Sequence, residues 1–165
     1  MSDMSMRPNA TSGSKGKTYR FYTGAVNWPF GYGLSFTSFK LAWGSASAMP
    51  PASLPAATLR NEGVTVAVSV TNTGSMRAKK IVELYLSTPA LDGSPLRALV
   101  ALEKVDLAPG AATTVTLSTN IVDSWCAFCV YDDAGAPSVP VGTAYTLDVG
   151  DGASAALSPI TITAS

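Results

Sequence analysis

The stretch VTVAVSVTN, residues 64–72, alternates without a break: Val64, Val66, Val68 and Val70 fall on one side, and Thr65, Ala67, Ser69 and Thr71 on the other. A strict period of two over this length marks a strand with one buried face. The run stops at Asn72-Thr73-Gly74-Ser75, a turn signal. KKIVELYLST (79–88) follows with the same period, placing Val82, Leu84 and Leu86 on one face and Ile81, Glu83 and Tyr85 on the other. Aromatic and β-branched residues suit the pleat, and this segment is expected at the centre of its sheet.

Working outward, LVALEKVDLAPG (99–110), ATTVTLSTN (112–120), CAFCVYDDAG (126–135), TAYTLDVGDG (143–152) and SPITITA (158–164) are each short and bounded by Pro, Gly or Asp-rich turns. Upstream, LSFTSFKLAW (34–43) reads as a first strand. SASAMPPASLPAATL (45–59) is a connector too rich in Pro and Ala for a regular element, and mobility is expected there. No window carries the i, i+3, i+4, i+7 pattern of a capped amphipathic helix. Seven to eight strands at regular spacing predict an all-β, antiparallel β-sandwich of the immunoglobulin or fibronectin type III sort, preceded by an irregular N-terminal extension. The division expected is 1–33 for the extension and 34–165 for the sandwich.

The chain has 165 residues, enough for one core. Charged residues make up 13%, about half the usual ~25%. Eleven basic and eleven acidic residues cancel, with no Lys/Arg run, so nucleic acid and anionic membranes are not expected partners. No apolar run approaches the ~20 residues of a membrane span. The opening MSDMSMRPNATSGSKGK has no apolar centre of the kind an export signal needs, and reads as a flexible tail.

Chemistry is sparse. There is no histidine, which rules out Ser-His-Asp and Cys-His arrangements. A carboxylate pair can hydrolyse glycosides, but Asp3, Glu62, Glu83, Asp92, Glu103, Asp106, Asp123, Asp132, Asp133, Asp148 and Asp151 stand mostly at turns or outward strand positions. They read as turn formers and solvated faces. GSKGKT (13–18) ends like a phosphate-binding loop but lacks its first glycine and its flanking strand and helix.

The two cysteines, Cys126 and Cys129, form a lone C-x-x-C with no second pair or histidine to complete a zinc site. On a strand, residues three apart face opposite ways, which suits neither a disulfide nor a shared metal. Both are expected as small, semi-buried hydrophobes, and no metal or cofactor is expected. Aromatic rings are the remaining handle, because Trp and Tyr can stack on sugars or on other apolar faces. The candidates Trp28, Tyr32, Trp43, Tyr85, Trp125 and Tyr145 are scattered, and core or interdomain packing is their expected use. Asn9-Ala10-Thr11 is an N-glycosylation sequon.

One junction is more specific. MRPNATSGSKGKTYRFYTGAVNWPFGYGLSFTSF (6–39) resembles the segment of glycoside hydrolase family 3 enzymes, β-xylosidases and β-glucosidases especially, in which T-Y-R-F-Y leads into P-F-G-Y-G-L-S-[YF]-T-x-F. VTVAVSVTNTGSMRAKKIVELYLSTP (64–89), LVALEKVDLAPGAATTVTLS (99–118) and VPVGTAYTLDVGDGAS (139–154) resemble the fibronectin type III-like domain that closes those enzymes. The resemblance implies a non-catalytic module, because the family's nucleophile and acid/base lie in preceding domains and no position here matches either motif. It implies catalytic domains of a hydrolase as partner, in the same chain or separate, and an extracellular or cell-wall location. A free-standing module that binds carbohydrate or protein is the alternative.

Trp28, Phe30 and Tyr32 are expected to pack between the sandwich and whatever precedes it. The glycines on either side of Tyr32 are expected to permit backbone angles or close approaches that a side chain would block.

Overall fold

The computed structural model describes residues 5–88, 94–119, 126–150 and 157–165. Asp3, Asp92, Asp123, Asp151 and Trp125 lie outside the described residues. The described strands are β1 (Phe39–Trp43), β2 (Ser53–Leu54), β3 (Thr65–Asn72), β4 (Ala78–Ser87), β5 (Ala98–Leu107), β6 (Ala112–Ser118), β7 (Val130–Tyr131), β8 (Pro137–Ser138), β9 (Ala144–Gly150) and β10 (Ile160–Ala164). Seven of these run five residues or more and form the frame expected from sequence.

A three-stranded sheet has the order β1-β3-β6, a five-stranded sheet the order β2-β10-β9-β4-β5, and β7 and β8 form a small ribbon. The valines of 64–70 set the arrangement. Val64, Val66, Val68 and Val70 are buried on the inner face of the first sheet, and meet Val82, Leu84 and Leu86 of β4 with Leu147 and Val149 of β9 on the second. Two apolar sheet faces closing on each other form the single core. β4 is flanked by β5 and β9, an interior place as expected, although the middle strand of the five is β9.

The connector departs from expectation. Residues 45–59 contain a 3₁₀ turn (Ala46–Ala48), the edge strand β2 and the start of a helix, here α2 (Ala56–Asn61). β2 pairs in parallel with β10, Thr163 opposite Ser53 and Ala164 opposite Leu54. The prolines bracket these elements, with Pro50 and Pro51 before β2 and Pro55 at the N-cap of α2. Six residues are less than two helical turns, too short for periodicity to register. What holds the helix is tertiary: Leu59 is fully buried in the core, and Ala56 N–H donates to the Ser165 carbonyl at 2.9 Å. Gly44 lets the connector start against β3, since a Cβ there would stand 2.7 Å from that of Ala67.

The first strand is also shorter than expected. It starts at Phe39 rather than Leu34, because its partner β3 ends at Asn72, the residue opposite Phe39. Thr73 N–H closes the ladder on the Ser38 carbonyl at 2.8 Å. Leu34 and Phe36 precede the ladder and are 89% and 91% exposed.

The C-x-x-C segment corrects the sequence reading. Residues 126–129 are a turn, not a strand, closed by Cys129 N–H on the Cys126 carbonyl at 3.3 Å. Cys126 and Cys129 are joined in a disulfide with their Cα atoms 5.3 Å apart. A strand sends i and i+3 to opposite faces, whereas a β-turn brings their Cα atoms within ~7 Å, which a bridge can span. Because the bridge closes so short a loop, it removes only about 2 kcal/mol of unfolded-chain entropy.

Candidate functional site

The opening third of the chain decides what the outer face of the five-stranded sheet presents. Tyr85 lies on the outward side of β4, yet it is fully buried. The inner neighbours Leu84 and Leu86 are covered by the other sheet; Tyr85 is covered by the N-terminal extension. A register shift between Leu84 and Tyr85 against β5 marks a bulge at this point, a device that re-aims side chains.

The extension is pinned at several points. A short helix, α1 (Thr18–Phe21), supplies Tyr19, whose hydroxyl accepts from Leu99 N–H at 3.1 Å. The Arg20 carbonyl accepts from Leu96 N–H at 2.7 Å, so the extension runs alongside the start of β5. Phe30 stacks on Tyr19 with ring centroids 4.0 Å apart and meets Tyr85 edge-on at 6.5 Å. Trp28 tilts against Tyr32 at 4.9 Å. Phe30 and Tyr32 are partly exposed, and Trp28 is 71% exposed.

Beneath the rings is a polar cluster. The Tyr85 hydroxyl donates to Glu83, and the Arg97 guanidinium lies 3.6 Å from the Tyr85 ring centre while pairing with Asp148. Asp148 stands directly opposite Tyr85 on β9, which places all four groups on one face. Burial and the Glu83 hydrogen bond raise the Tyr85 phenol well above its ordinary value. These two acids, Glu83 and Asp148, are therefore engaged in holding the extension's floor, and no other carboxylate among the described residues joins them in a metal-holding group.

Gly31 answers half of the question raised by the glycines around Tyr32. Its φ is +84°, and a Cβ there would lie 2.3 Å from the Glu83 carboxylate and 2.6 Å from the Tyr85 hydroxyl. The backbone approaches the cluster where no side chain fits. Gly33 meets nothing within 4 Å, and close approach is not its role.

The other sequence candidates disperse. Trp43 donates from its ring nitrogen to the Ser158 carbonyl at 2.9 Å, tying β1 to the residues before β10. Asp132 accepts from the backbone N–H groups of Ala134 and Ala136, forming a turn, and Asp106 pairs with Arg77 on the surface. Asn9 Oδ1 accepts from Thr11 N–H at 2.9 Å, folding the sequon into a local turn. Trp28 and Phe30 are brought together with Tyr19, Tyr85 and Arg97 around a groove of ≈ 570 Å³, and Tyr32 stands against Trp28. Tyr19, Glu83, Arg97 and Asp148 had not been grouped with those rings, and only strand register and the path of the extension could have done so.

Tyr145 is buried in the core, edge-on to Phe128 at 5.2 Å, with its hydroxyl donating to the Phe128 carbonyl at 2.9 Å. Burial pushes its phenol up to about 12. An acid held more tightly by the fold contributes its full stability below the unfolded phenol's value of ~10 and loses it as pH rises towards the folded value. Wild-type stability is therefore expected to fall between about pH 10 and 12. Tyr145→Phe should cost about 1 kcal/mol at neutral pH and show a shallower alkaline decline in urea melts. The decline should not vanish, because Tyr85 is displaced in the same direction.

Comparison with known proteins gives this geometry its context. Residues 80–153 match the fibronectin type III-like domain family. The chain is 32% identical over 103 residues to a xylan 1,4-β-xylosidase of Xylanibacter ruminicola, covering 62% of this chain and 11% of that protein. It is 28% identical over 163 residues to β-D-xylosidase 3 of Arabidopsis thaliana, covering 86% of this chain and 21% of the relative. Among solved structures, a GH3 exo-β-xylosidase covers 99% of the chain at a TM-score of 0.78 and 23% identity, using 22% of its own length. The GH3 β-glucosidase of Bifidobacterium adolescentis covers 88% at a TM-score of 0.69 and 26% identity, using 20% of its length. The chain thus spans about a fifth or less of the relatives it matches. It carries a fibronectin type III-like domain of the kind found in glycoside hydrolase family 3 β-xylosidases and β-glucosidases.

Proposed function

We propose that this chain is the non-catalytic C-terminal module of a β-xylosidase- or β-glucosidase-type hydrolase. It braces the catalytic domains that cleave O-glycosyl bonds of plant or algal cell-wall carbohydrate outside the cell. One observation carries the reading: Leu34 and Phe36, at the exit of the extension, are almost wholly exposed in a chain that matches only about a fifth of its relatives. Two large apolar side chains of this kind gain about 1.5–3 kcal/mol each when covered. Val26 and Trp28, which line the groove, are exposed as well, and in this reading the rest of such a hydrolase covers these apolar side chains.

The boundary between extension and sandwich is then best drawn functionally, with 1–33 as the end of the preceding domain and its hinge, and 34–165 as the brace. No helix among the described residues is long and apolar enough to cross a membrane.

Purified alone, the chain is expected to fold and release no nitrophenol from aryl β-xylosides or β-glucosides; sustained turnover would overturn the reading. Added to the catalytic part of a β-xylosidase that lacks the matched region, it should bind and raise that part's melting temperature. The double change Leu34→Asp with Phe36→Asp should weaken binding by about a hundredfold while moving the module's own stability by less than ~0.5 kcal/mol, as exposed positions do. Unchanged binding would sink the docking face. The groove of ≈ 570 Å³ with its stacked rings favours a second reading, a carbohydrate-binding module. Calorimetry with xylo-oligosaccharides separates the two, since binding that survives the Leu34/Phe36 change supports the second.

A further inference from the structure

The C-x-x-C turn has no part in the docking face, and its surroundings point to chemistry of its own. We propose that Cys126–Cys129 is a site of reversible thiol–disulfide exchange, entered at Cys129 by a small anionic thiol through the cleft that Arg20 lines. A bridge between residues three apart closes a short loop, so its contribution through the unfolded chain stands at the low end for disulfides, about 2 kcal/mol. The turn is also held without the sulfurs. Cys126 N–H donates to the Tyr131 hydroxyl at 3.2 Å, Tyr145 donates to the Phe128 carbonyl at 2.9 Å, and Cys129 N–H donates to the Cys126 carbonyl.

The two sulfurs are unequal. Cys126 is 4% exposed and lies in the core cluster, whereas Cys129 is only partly buried. Both line a cleft of ≈ 230 Å³ that Arg20 and Tyr131 share. Arg20, whose guanidinium lies 5.9 Å from the Phe21 ring centre, borders the same cleft, and its charge favours the approach of an anionic thiol. On opening, the Cys126 thiol has an acceptor in place, because its sulfur lies 4.0 Å from the Leu59 carbonyl at the end of α2.

The step balances with two external thiols. The first thiolate attacks Cys129 Sγ, the S–S bond breaks, and its electron pair leaves on Cys126 Sγ, which takes a proton. A second thiolate attacks the external sulfur of the mixed disulfide, releasing the Cys129 thiolate and an oxidised external disulfide. The external pair is oxidised by two electrons and the bridge is reduced by two.

Glutathione is the probe. The folded full chain is expected to open its bridge in millimolar reduced glutathione, read by thiol alkylation and mass spectrometry, with an unchanged far-ultraviolet circular dichroism spectrum. Oxidised glutathione should close it again. With oxidised glutathione, Cys129 in Cys126→Ser should form a mixed disulfide, releasing one reduced glutathione, about tenfold faster than Cys126 does in Cys129→Ser. A bridge that opens only when the sheets unfold, or adduct rates that do not differ between the two variants, would overturn the proposal. Should a single variant fail to fold, the wild-type titration decides alone.

Discussion

Replacing Asn72 by alanine is expected to lower stability by about 3 kcal/mol, among the largest effects of any substitution outside the apolar core. Asn72 ends β3 fully buried, and its amide is used to the full. Nδ2 donates to the Met76 carbonyl at 2.8 Å and the Leu107 carbonyl at 3.0 Å. Oδ1 accepts from the Thr37 hydroxyl at 2.7 Å and from Gly74 N–H at 3.1 Å. One side chain thus joins the entry to β1, the β3–β4 turn and the end of β5, which come from both sheets. Alanine leaves these partners without it, and each buried group so orphaned costs about 1–3 kcal/mol.

Chemical denaturation followed by tryptophan fluorescence reads the loss. Thr37→Val removes one of the four bonds and should cost about 1 kcal/mol alone, but much less in the Asn72→Ala background, because residues sharing a network are not additive. A loss below about 1 kcal/mol for Asn72→Ala would show that solvent replaces the amide.

Asn72 also shows where sequence reading stops. The alternation of Val64 to Val70 was legible because a pleat imposes period two on any strand with one dry face, and Asn72-Thr73-Gly74-Ser75 was legible as a turn. That the asparagine reaches across to Leu107 and Thr37 depends on which sheets meet, information that lies 35 residues away in each direction. Leu34 and Phe36 failed differently. Their alternation looks like a strand, but a strand needs a partner, and β3 has already ended opposite Phe39.

The C-x-x-C segment was misread because Cys126, Phe128 and Val130 alternate like a strand. The competing signal was the spacing itself, since i and i+3 meet across a single turn. The aromatic face was half legible. Trp28, Phe30 and Tyr32 stood out in the sequence, whereas the floor beneath them, Glu83, Tyr85, Arg97 and Asp148, is assembled by register between β4 and β9 and by the path of the extension.

That floor carries the other large expectation. Tyr85→Ala should cost about 3–5 kcal/mol, the range for deleting a buried aromatic ring, and it should also release the extension. The ring is wholly buried although it points away from the main core, so its burial comes from Phe30, Arg97 and the approach of Gly31 rather than from the opposite sheet. Removing it takes away the surface on which Phe30 rests and leaves the Arg97–Asp148 pair without the aromatic face beside it. Limited proteolysis should then cut between residues 19 and 36 several-fold faster, while the sheets stay paired. Tyr85→Phe separates the two contributions. It keeps the ring and loses only the hydroxyl bond to Glu83, so it should cost about 1 kcal/mol and leave the extension protected. If Tyr85→Ala and Tyr85→Phe cost the same, or if proteolysis at 19–36 is unchanged in the alanine variant, then the extension is held by its backbone bonds to Leu96 and Leu99 and not by the aromatic stack. A stack that holds the extension also fixes the direction in which Leu34 and Phe36 leave the sheet. Under the docking proposed above, the alanine variant should therefore lose binding to the catalytic part of a β-xylosidase even with both of those residues intact.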